Sequence, residues 1–397
     1  MEIRDYHISP LGDGINGIFG EHWILNIKTK TDADVRFFVK SIPRMDSMLF
    51  YIQYIDIFSK EEGFYQKIIP AMKKLGLCMM SEVTPYCFMI KNGEFFIFED
   101  LSVSGYKIYS WMESLPYEAV KIGLYTLAKL HASSFIFEEM MSKQYGREYK
   151  IIEDFKTELK ESFYCAELPS ELLVESIIKG IETQTELFPD VYEDLDKDDF
   201  KKFVTDSWKN VKEFVKPSQV YRNVICHGDL WPGNIMFKDE NLNPVKCILI
   251  DFQMYRYTPP ALDVMLFLYL STDREFRFKY REKCLDVYYE NLCAILEENS
   301  IITSNILTKD DFLNSCNYYE LFGITQCLSY NHMKVNSNII LKQFFDDTDV
   351  CKHFMYGDRS QSLIDFCKND SNYRLKQKEP LLNFKDAFLK LQNKLHQ

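Results

Sequence analysis

The sequence predicts a mixed α+β chain in two lobes: a small antiparallel-sheet N-terminal lobe and a large, mainly helical C-terminal lobe. Three observations point to it. The chain has 397 residues, more than the roughly 100–200 that one domain ordinarily holds. Its first hundred residues carry short runs rich in β-branched and aromatic side chains, bounded by polar turns. After residue 105 the texture changes, and helical patterns dominate. The divisions fall at 1–98 for the first lobe, 99–105 for a connector and 106–397 for the second lobe.

The elements follow in order. Residues 22–29 (HWILNIKT) and 35–42 (VRFFVKSI) read as strands, and Thr31, Asp32, Ala33 and Asp34 between them read as a hairpin turn. Residues 56–75 carry Ile57, Phe58, Phe64, Tyr65, Ile68, Ile69 and Met72 near helical spacing. Glu94–Glu99 (EFFIFE) is a further strand. Val120, Gly123, Leu124, Leu127, Ala128 and Leu130 form the apolar stripe of an amphipathic helix. The acidic stretch Phe188–Phe200 reads as a solvated loop or helix face. Two buried strands return at Val224–Cys226 and Cys247–Ile250. Near the end, Tyr318, Tyr319, Phe322 and Tyr330 share helical spacing; they pack the core or line a substrate pocket.

Composition narrows the function. Hydrophobic residues are 46% and charged residues 27% of the chain, which excludes global disorder. The net charge of −12 argues against a nucleic-acid partner, whose binding rests on clustered Lys and Arg. It also argues against an anionic membrane surface. Aromatic residues reach 15%, enough for apolar pockets as well as a core. The 11 cysteines include no CxxC pair and read as reduced, buried thiols. The N-terminus lacks the apolar segment of a secretory signal. The longest purely apolar run, Val264–Leu270, is far short of a membrane span. A soluble, cytoplasmic protein is expected, and a monomer.

Gly12-Asp13-Gly14-Ile15-Asn16-Gly17 matches GxGxxG. A dinucleotide site needs a strand before that pattern and a helix after it. Here the preceding residues are polar and interrupted by Pro10, and Trp23–Ile27 behind reads as a strand. The context suits a strand–loop–strand flap over ATP phosphates, with Gly14 and Gly17 allowing close backbone approach; a plain glycine-rich turn is the alternative. Lys40 ends the strand Phe37–Lys40, where a lysine can reach the α/β-phosphates. Such a lysine needs a carboxylate to hold it. Glu61, three residues before Phe64, points inward on the helix; Glu62 reads as its exposed neighbour.

The segment Val224–Phe237 (VICHGDLWPGNIMF) carries the catalytic signal. His227-Gly228-Asp229 is followed by Asn234 five residues after the aspartate, the H-x-D-x-x-x-x-N spacing of a kinase catalytic loop. Asp251-Phe252-Gln253 follows 17 residues past Asn234. Phosphoryl transfer is mostly positioning and charge neutralisation. In that chemistry Asp229 orients the acceptor hydroxyl and takes its proton, while Asn234 and Asp251 supply hard oxygen ligands for Mg²⁺ on ATP. His227 reads as a residue that fixes the loop. Only 11 residues separate Asp251 from Asp263, and no APE motif follows. That leaves too little chain to seat a peptide, so the acceptor is a small molecule.

HGDLWPGN and DFQ resemble the insect ecdysteroid kinase-like family, within the wider group of choline kinases and aminoglycoside phosphotransferases. FVKSIP around Lys40, FSKEEGFY around Glu61, FEDLSVSGY at 98–106, LAKLHASS at 127–134 and PALDVMLFLY at 260–269 extend the resemblance over most of the chain. The glycine loop departs most from the pattern. The resemblance implies a bilobal protein-kinase-like fold, with residues 99–101 as the hinge. Backbone groups of Glu99 and Leu101 would then meet adenine, and Asp263 would brace the catalytic loop. His131 reads as a core histidine. The implied activity is ATP-dependent O-phosphorylation of an apolar alcohol such as an ecdysteroid or a xenobiotic phenol. A choline/ethanolamine-type kinase and a non-catalytic nucleotide or ligand binder remain as alternatives.

Overall fold

The chain, seen in a computed structural model, is described over residues 2–12, 20–31, 34–42, 56–164, 170–333 and 348–395. It is a mixed α+β structure: an N-terminal antiparallel sheet, then a mostly helical remainder. Strands β1 (Ile3–Pro10), β2 (Glu21–Thr29), β3 (Asp34–Ser41), β4 (Cys87–Lys91) and β5 (Phe95–Glu99) form one sheet in the order β1-β2-β3-β5-β4. Every neighbouring pair in it is antiparallel. The interior strands β2 and β3 carry the β-branched and aromatic runs that made them readable. β1 does not, because it is an edge strand whose residues are nearly all exposed. Without a buried face it needs no apolar period, and Pro10 is tolerated at its end.

Cross-strand register sorts the sheet into two faces. His22, Lys40 and Phe96 lie side by side on one, next to Ile24, Phe38 and Phe98. Trp23, Val39 and Ile97 lie on the other, where they line a cavity of about 310 Å³. A helix packs on the Lys40 face: Phe58 meets Phe96 with ring centroids 5.6 Å apart, and Tyr65 meets Phe98 at 5.2 Å. That helix begins as α1 (Ile57–Gly63), widens through a π turn at Phe64–Ile68 and continues as α2 (Ile69–Lys74). The short α3 (Met79–Glu82) follows before β4.

From β5 the chain passes through a tight turn at Leu101–Ser104 into β6 (Tyr106–Ile108), which pairs with a strand of the second part. There α4 (Tyr117–Tyr145) buries the stripe read from the sequence, including Val120, Leu124, Leu127 and Leu130. Helices α5 (Ser170–Leu187), α6 (Lys197–Lys209) and α7 (Val211–Phe214) come next. The acidic stretch before α6 divides its work. Its acids face solvent and Asp196 caps α6, while Phe188, Val191, Tyr192 and Phe200 are buried.

Two small sheets then carry the site. β7 (Val224–Cys226) pairs with β10 (Arg256–Thr258), and β8 (Ile235–Glu240) pairs with β9 (Asn243–Leu249) and with β6. Helix α8 (Pro260–Ser271) is buried at every residue, which explains its unbroken apolar run. No helix among the described residues is long and apolar enough to cross a membrane. The remaining helices are α9 (Arg274–Glu298), α10 (Lys309–Asn331), α11 (Thr348–Tyr356), α12 (Ser360–Asn369) and α13 (Ser371–Leu395). One continuous apolar cluster runs from Phe58 and Phe96 through α4 and α8 to Phe388.

Candidate active site

Lys40 sits near the end of β3, flanked by His22 and Phe96 in the neighbouring strands. Its ammonium lies 2.6 Å from Glu61 Oε2 on α1 and 2.6 Å from Asp251 Oδ1. Burial by itself disfavours the charged lysine, but the two carboxylates outweigh it and the pKa is raised. Burial pushes the Glu61 carboxyl up, with the Lys40 charge pulling against it. The second oxygen of Glu61 accepts from the Phe252 N–H at 3.2 Å. Phe64 stacks flat on Phe252, with centroids 4.1 Å apart. One helical turn thus ties the sheet to the segment carrying Asp251.

Glu62 corrects the reading of an exposed neighbour. It is buried, and its Oε1 accepts from the Gly93 N–H at 2.5 Å. The reason is geometric. α1 is wedged between the sheet and the second part of the chain, so Phe58 and Lys60–Tyr65 are all buried and Ser59 between them is exposed.

The loop after β7 is fixed by backbone and by two imidazoles. Gly228 has φ 78°, and a Cβ there would meet the Met254 carbonyl oxygen at 2.3 Å; only glycine fits. His227 Nδ1 accepts from the Asp229 N–H at 3.2 Å, so its proton sits on Nε2 and is donated to the Ile250 carbonyl at 2.9 Å. Asp263, on the first turn of α8, accepts from the N–H groups of His227 (2.6 Å) and Gly228 (2.9 Å) and from His131 Nε2 (3.1 Å). Burial opposes its charge, but the hydrogen bonds and the neighbouring histidines prevail and its pKa is lowered. His131 also bonds the Tyr288 hydroxyl at 2.7 Å and belongs to this buried brace. Cys226 lies beside His131 and Asp263, all three ligand atoms within 4.8 Å. Its thiol is engaged by the carbonyls of Thr258 and Pro259, so the trio is a hydrogen-bonded core cluster.

Asp229 is buried, and both of its oxygens are engaged. Oδ2 accepts from Asn234 Nδ2 at 2.9 Å, and Oδ1 accepts from the Tyr330 hydroxyl. Burial raises its pKa, the Asp251 charge adds to this, and the two donors oppose it. Asn234 closes a tight turn at Pro232–Asn234; its carbonyl accepts from the Ile250 N–H at 3.0 Å. Asp251 follows β9 in the left-handed region, at φ 69°, a conformation that costs energy for a residue with a Cβ. Its side chain stays 26% exposed, and Oδ2 accepts from Gln253 Nε2 at 3.0 Å.

The connector places Glu99 opposite Phe37 in β3; its N–H donates to the Tyr86 carbonyl at 2.9 Å and its side chain accepts from the Tyr86 N–H at 2.7 Å. Leu101 is buried, and its carbonyl accepts from the Gly105 N–H. Asp100 between them caps the turn and pairs with Arg36 at 2.6 Å. Gly14 and Gly17 lie outside the described residues.

Lys40, Glu61 and Asp251 therefore form one ion-paired set and Asp229 and Asn234 a second, the Asp251 charge acting on Asp229, with His227 and Asp263 bracing the loop. The profile of the ecdysteroid kinase-like family matches residues 23–300, well over half of the chain. The chain belongs to the ecdysteroid kinase-like family. Its class is that of the small-molecule kinases. No curated protein sequence matches it. Solved structures similar to this ecdysteroid kinase-like chain include an aminoglycoside phosphotransferase with GDP and kanamycin. It is 14% identical, covers 93% of this chain and 95% of its own, and has a TM-score of 0.37. A choline/ethanolamine kinase family protein from Mesorhizobium loti is 10% identical, with coverages of 88% and 91% and a TM-score of 0.35. A microcompartment-associated aminopropanol kinase is 10% identical, with coverages of 83% and 93% and a TM-score of 0.34.

Sequence reasoning did not assign Tyr330 to Asp229. The signal available was its place in an aromatic stripe. The stripe splits: Tyr319 and Phe322 are core, Tyr318 is exposed and Tyr330 reaches the catalytic loop.

Proposed function

We propose that this chain transfers the γ-phosphoryl group of ATP to a hydroxyl of an apolar small molecule, an ecdysteroid-like or phenolic alcohol. The observation that carries the reading is the convergence of Lys40, Glu61 and Asp251 in one ion-paired cluster beside the Asp229–Asn234 pair. In this reading residues 1–98 and 106–397 act as two lobes with 99–105 as hinge, and Glu99 and Leu101 present backbone groups to adenine. Lys40, freed from Asp251, holds the α/β-phosphates while Glu61 keeps it aimed. Asp229 orients the acceptor hydroxyl and takes its proton as the acceptor oxygen bonds to the γ-phosphorus and the bond to ADP breaks.

Asp251 and Asn234 supply a donor set that fits Mg²⁺. The Asp251 carboxylate is partly open, and Asn234 turns its nitrogen toward Asp229, so its Oδ1 accepts from none of the described residues. When bound, the ion would neutralise charge on the phosphates. The buried Asp229 with its raised pKa suits a group that must accept a proton near neutral pH.

The test is one incubation of the full chain with Mg-ATP and a pooled panel of ecdysteroids, other sterols, phenols, choline, ethanolamine and an aminoglycoside. Mass spectrometry reads phosphate gain, and ADP is measured in the same tube. A phosphorylated steroid or phenol is the expected result. Phosphocholine alone would move the acceptor class, and neither product nor ADP would remove the kinase reading.

A further inference from the structure

Near the Asp229 loop lie hydrogen-bond donors that have no partner among the described residues. Gln326 lies one turn before Tyr330 on α10, so the two side chains share a face. Tyr330 reaches Asp229, and Gln326 Oε1 accepts from the Tyr164 hydroxyl at 2.8 Å. The Arg256 guanidinium lies over the Tyr164 ring, 5.4 Å from its centroid. Arg256 Nε lies 3.1 Å from where a Cβ on Gly228 would sit, directly behind the catalytic loop. Gln326 and Arg256 are each 1% exposed. Yet Gln326 Nε2 and Arg256 Nη1 have no partner among the described residues. Glu161 lies 3.3 Å from Arg256 Nε and offsets its charge. It does not satisfy Nη1.

Two buried donors without a partner among the described residues, on side chains that reach Tyr164 and the catalytic loop, are costly to keep. Resting on the kinase reading above, we infer that Gln326 and Arg256 form a subsite for a second oxygen of the acceptor, one that accepts hydrogen bonds: a ketone or a carboxylate. The reacting hydroxyl displaces the Tyr330 hydroxyl from Asp229 Oδ1, and the second oxygen takes the Gln326 and Arg256 donors. A quaternary or primary ammonium acceptor is disfavoured, because it offers the Gln326 and Arg256 donors nothing that accepts.

A site built around a hydrogen bond rejects an analogue that lacks it. The test uses matched pairs: 4-hydroxyacetophenone and 4-hydroxybenzoate against 4-ethylphenol, and a hydroxysteroid ketone against the same steroid with the ketone replaced by methylene. Choline is the cationic control. The full chain with Mg-ATP is expected to favour an oxo member over its partner by about tenfold to a hundredfold in kcat/KM. Of the two oxo phenols, the faster one tells ketone from carboxylate. Gln326→Glu keeps the acceptor for Tyr164 and removes the donor, so the ratio should collapse toward one, chiefly through KM. Equal rates within both pairs, or phosphorylation of choline alone, overturn the subsite and leave the kinase reading standing. No product from any member removes that reading, and the subsite with it. If Gln326→Glu does not fold, the wild-type ratio decides by itself.

Discussion

The two halves of the candidate site hold their charges in different ways. On the catalytic-loop side, Asp263 is fully buried and accepts two backbone N–H groups and one imidazole. The loop is thereby fixed through its main chain. On the sheet side, Lys40 is held by two side chains from separate segments, Glu61 and the partly open Asp251. Side-chain bonds can be exchanged for phosphate without unfolding anything, whereas the backbone bonds to Asp263 cannot. The comparison teaches where rigidity is needed: the groups that position the acceptor are fixed in place, and the group that meets the nucleotide is free to change partners.

The largest effect should fall on the fixed side. Asp229→Ala is expected to lower kcat by about 10²–10⁴-fold while Mg-ATP still raises the melting temperature. Unchanged turnover would take Asp229 out of the mechanism. Next, Asp263→Ala leaves three buried donors unsatisfied. It should cost at least about 3 kcal/mol in urea unfolding and reduce turnover with it. Were stability to hold, the brace would not be what fixes the loop.

Lys60 sharpens the contrast from between the halves. Its ammonium donates to the Lys160 carbonyl at 2.8 Å, and burial holds its pKa down at about 8, against the nearby Glu161 charge. Its ordinary value is 10.5, so between those limits the unfolded chain binds more protons, and stability gains with rising pH. Relative to Lys60→Met, the wild type should therefore gain about 3 kcal/mol between pH 7.5 and 10.5. Urea midpoints for both proteins at the two pH values check it; a constant difference would mean that Lys60 titrates normally. The smallest effect belongs to the exchangeable side. A double-mutant cycle of Lys40→Met and Glu61→Gln should give a coupling of about 1–3 kcal/mol, and a coupling near zero would mean that the pair is incidental.

The fold class was legible because the strands that matter to it, β2 and β3, are interior strands built from β-branched and aromatic runs with a polar turn between them. β1 was not, since an edge strand with both faces wet has no reason to alternate. β4 escaped for a related cause: Phe88 and Met89 are exposed apolar residues on the opposite edge, and their pattern says nothing about a buried face. At the site, Asp229, Asn234 and Asp251 were legible as local spacing, which the chain preserves. Tyr330, Gln326 and Arg256 come from distant segments whose approach no spacing encodes. Glu62 was misread because one-sided amphipathicity fails for a helix packed on more than one side.

The π turn at Phe64–Ile68 has a mechanical consequence. An α-helix turns by about 100° per residue, and a π turn takes up one residue more than an ordinary turn. It sets the phase between the helix before it and the helix after it. Ahead of it Glu61 faces Lys40; within it Phe64 lies on Phe252, and beyond it Met72 packs the core. Deleting one residue there would straighten the helix and twist one end against the other by about that angle, so that Glu61 and Met72 could not both keep their partners. The wide turn acts as a phase-setting coupling on a shaft: it keeps the carboxylate that holds Lys40 aimed at the sheet while the far end of the helix packs the core.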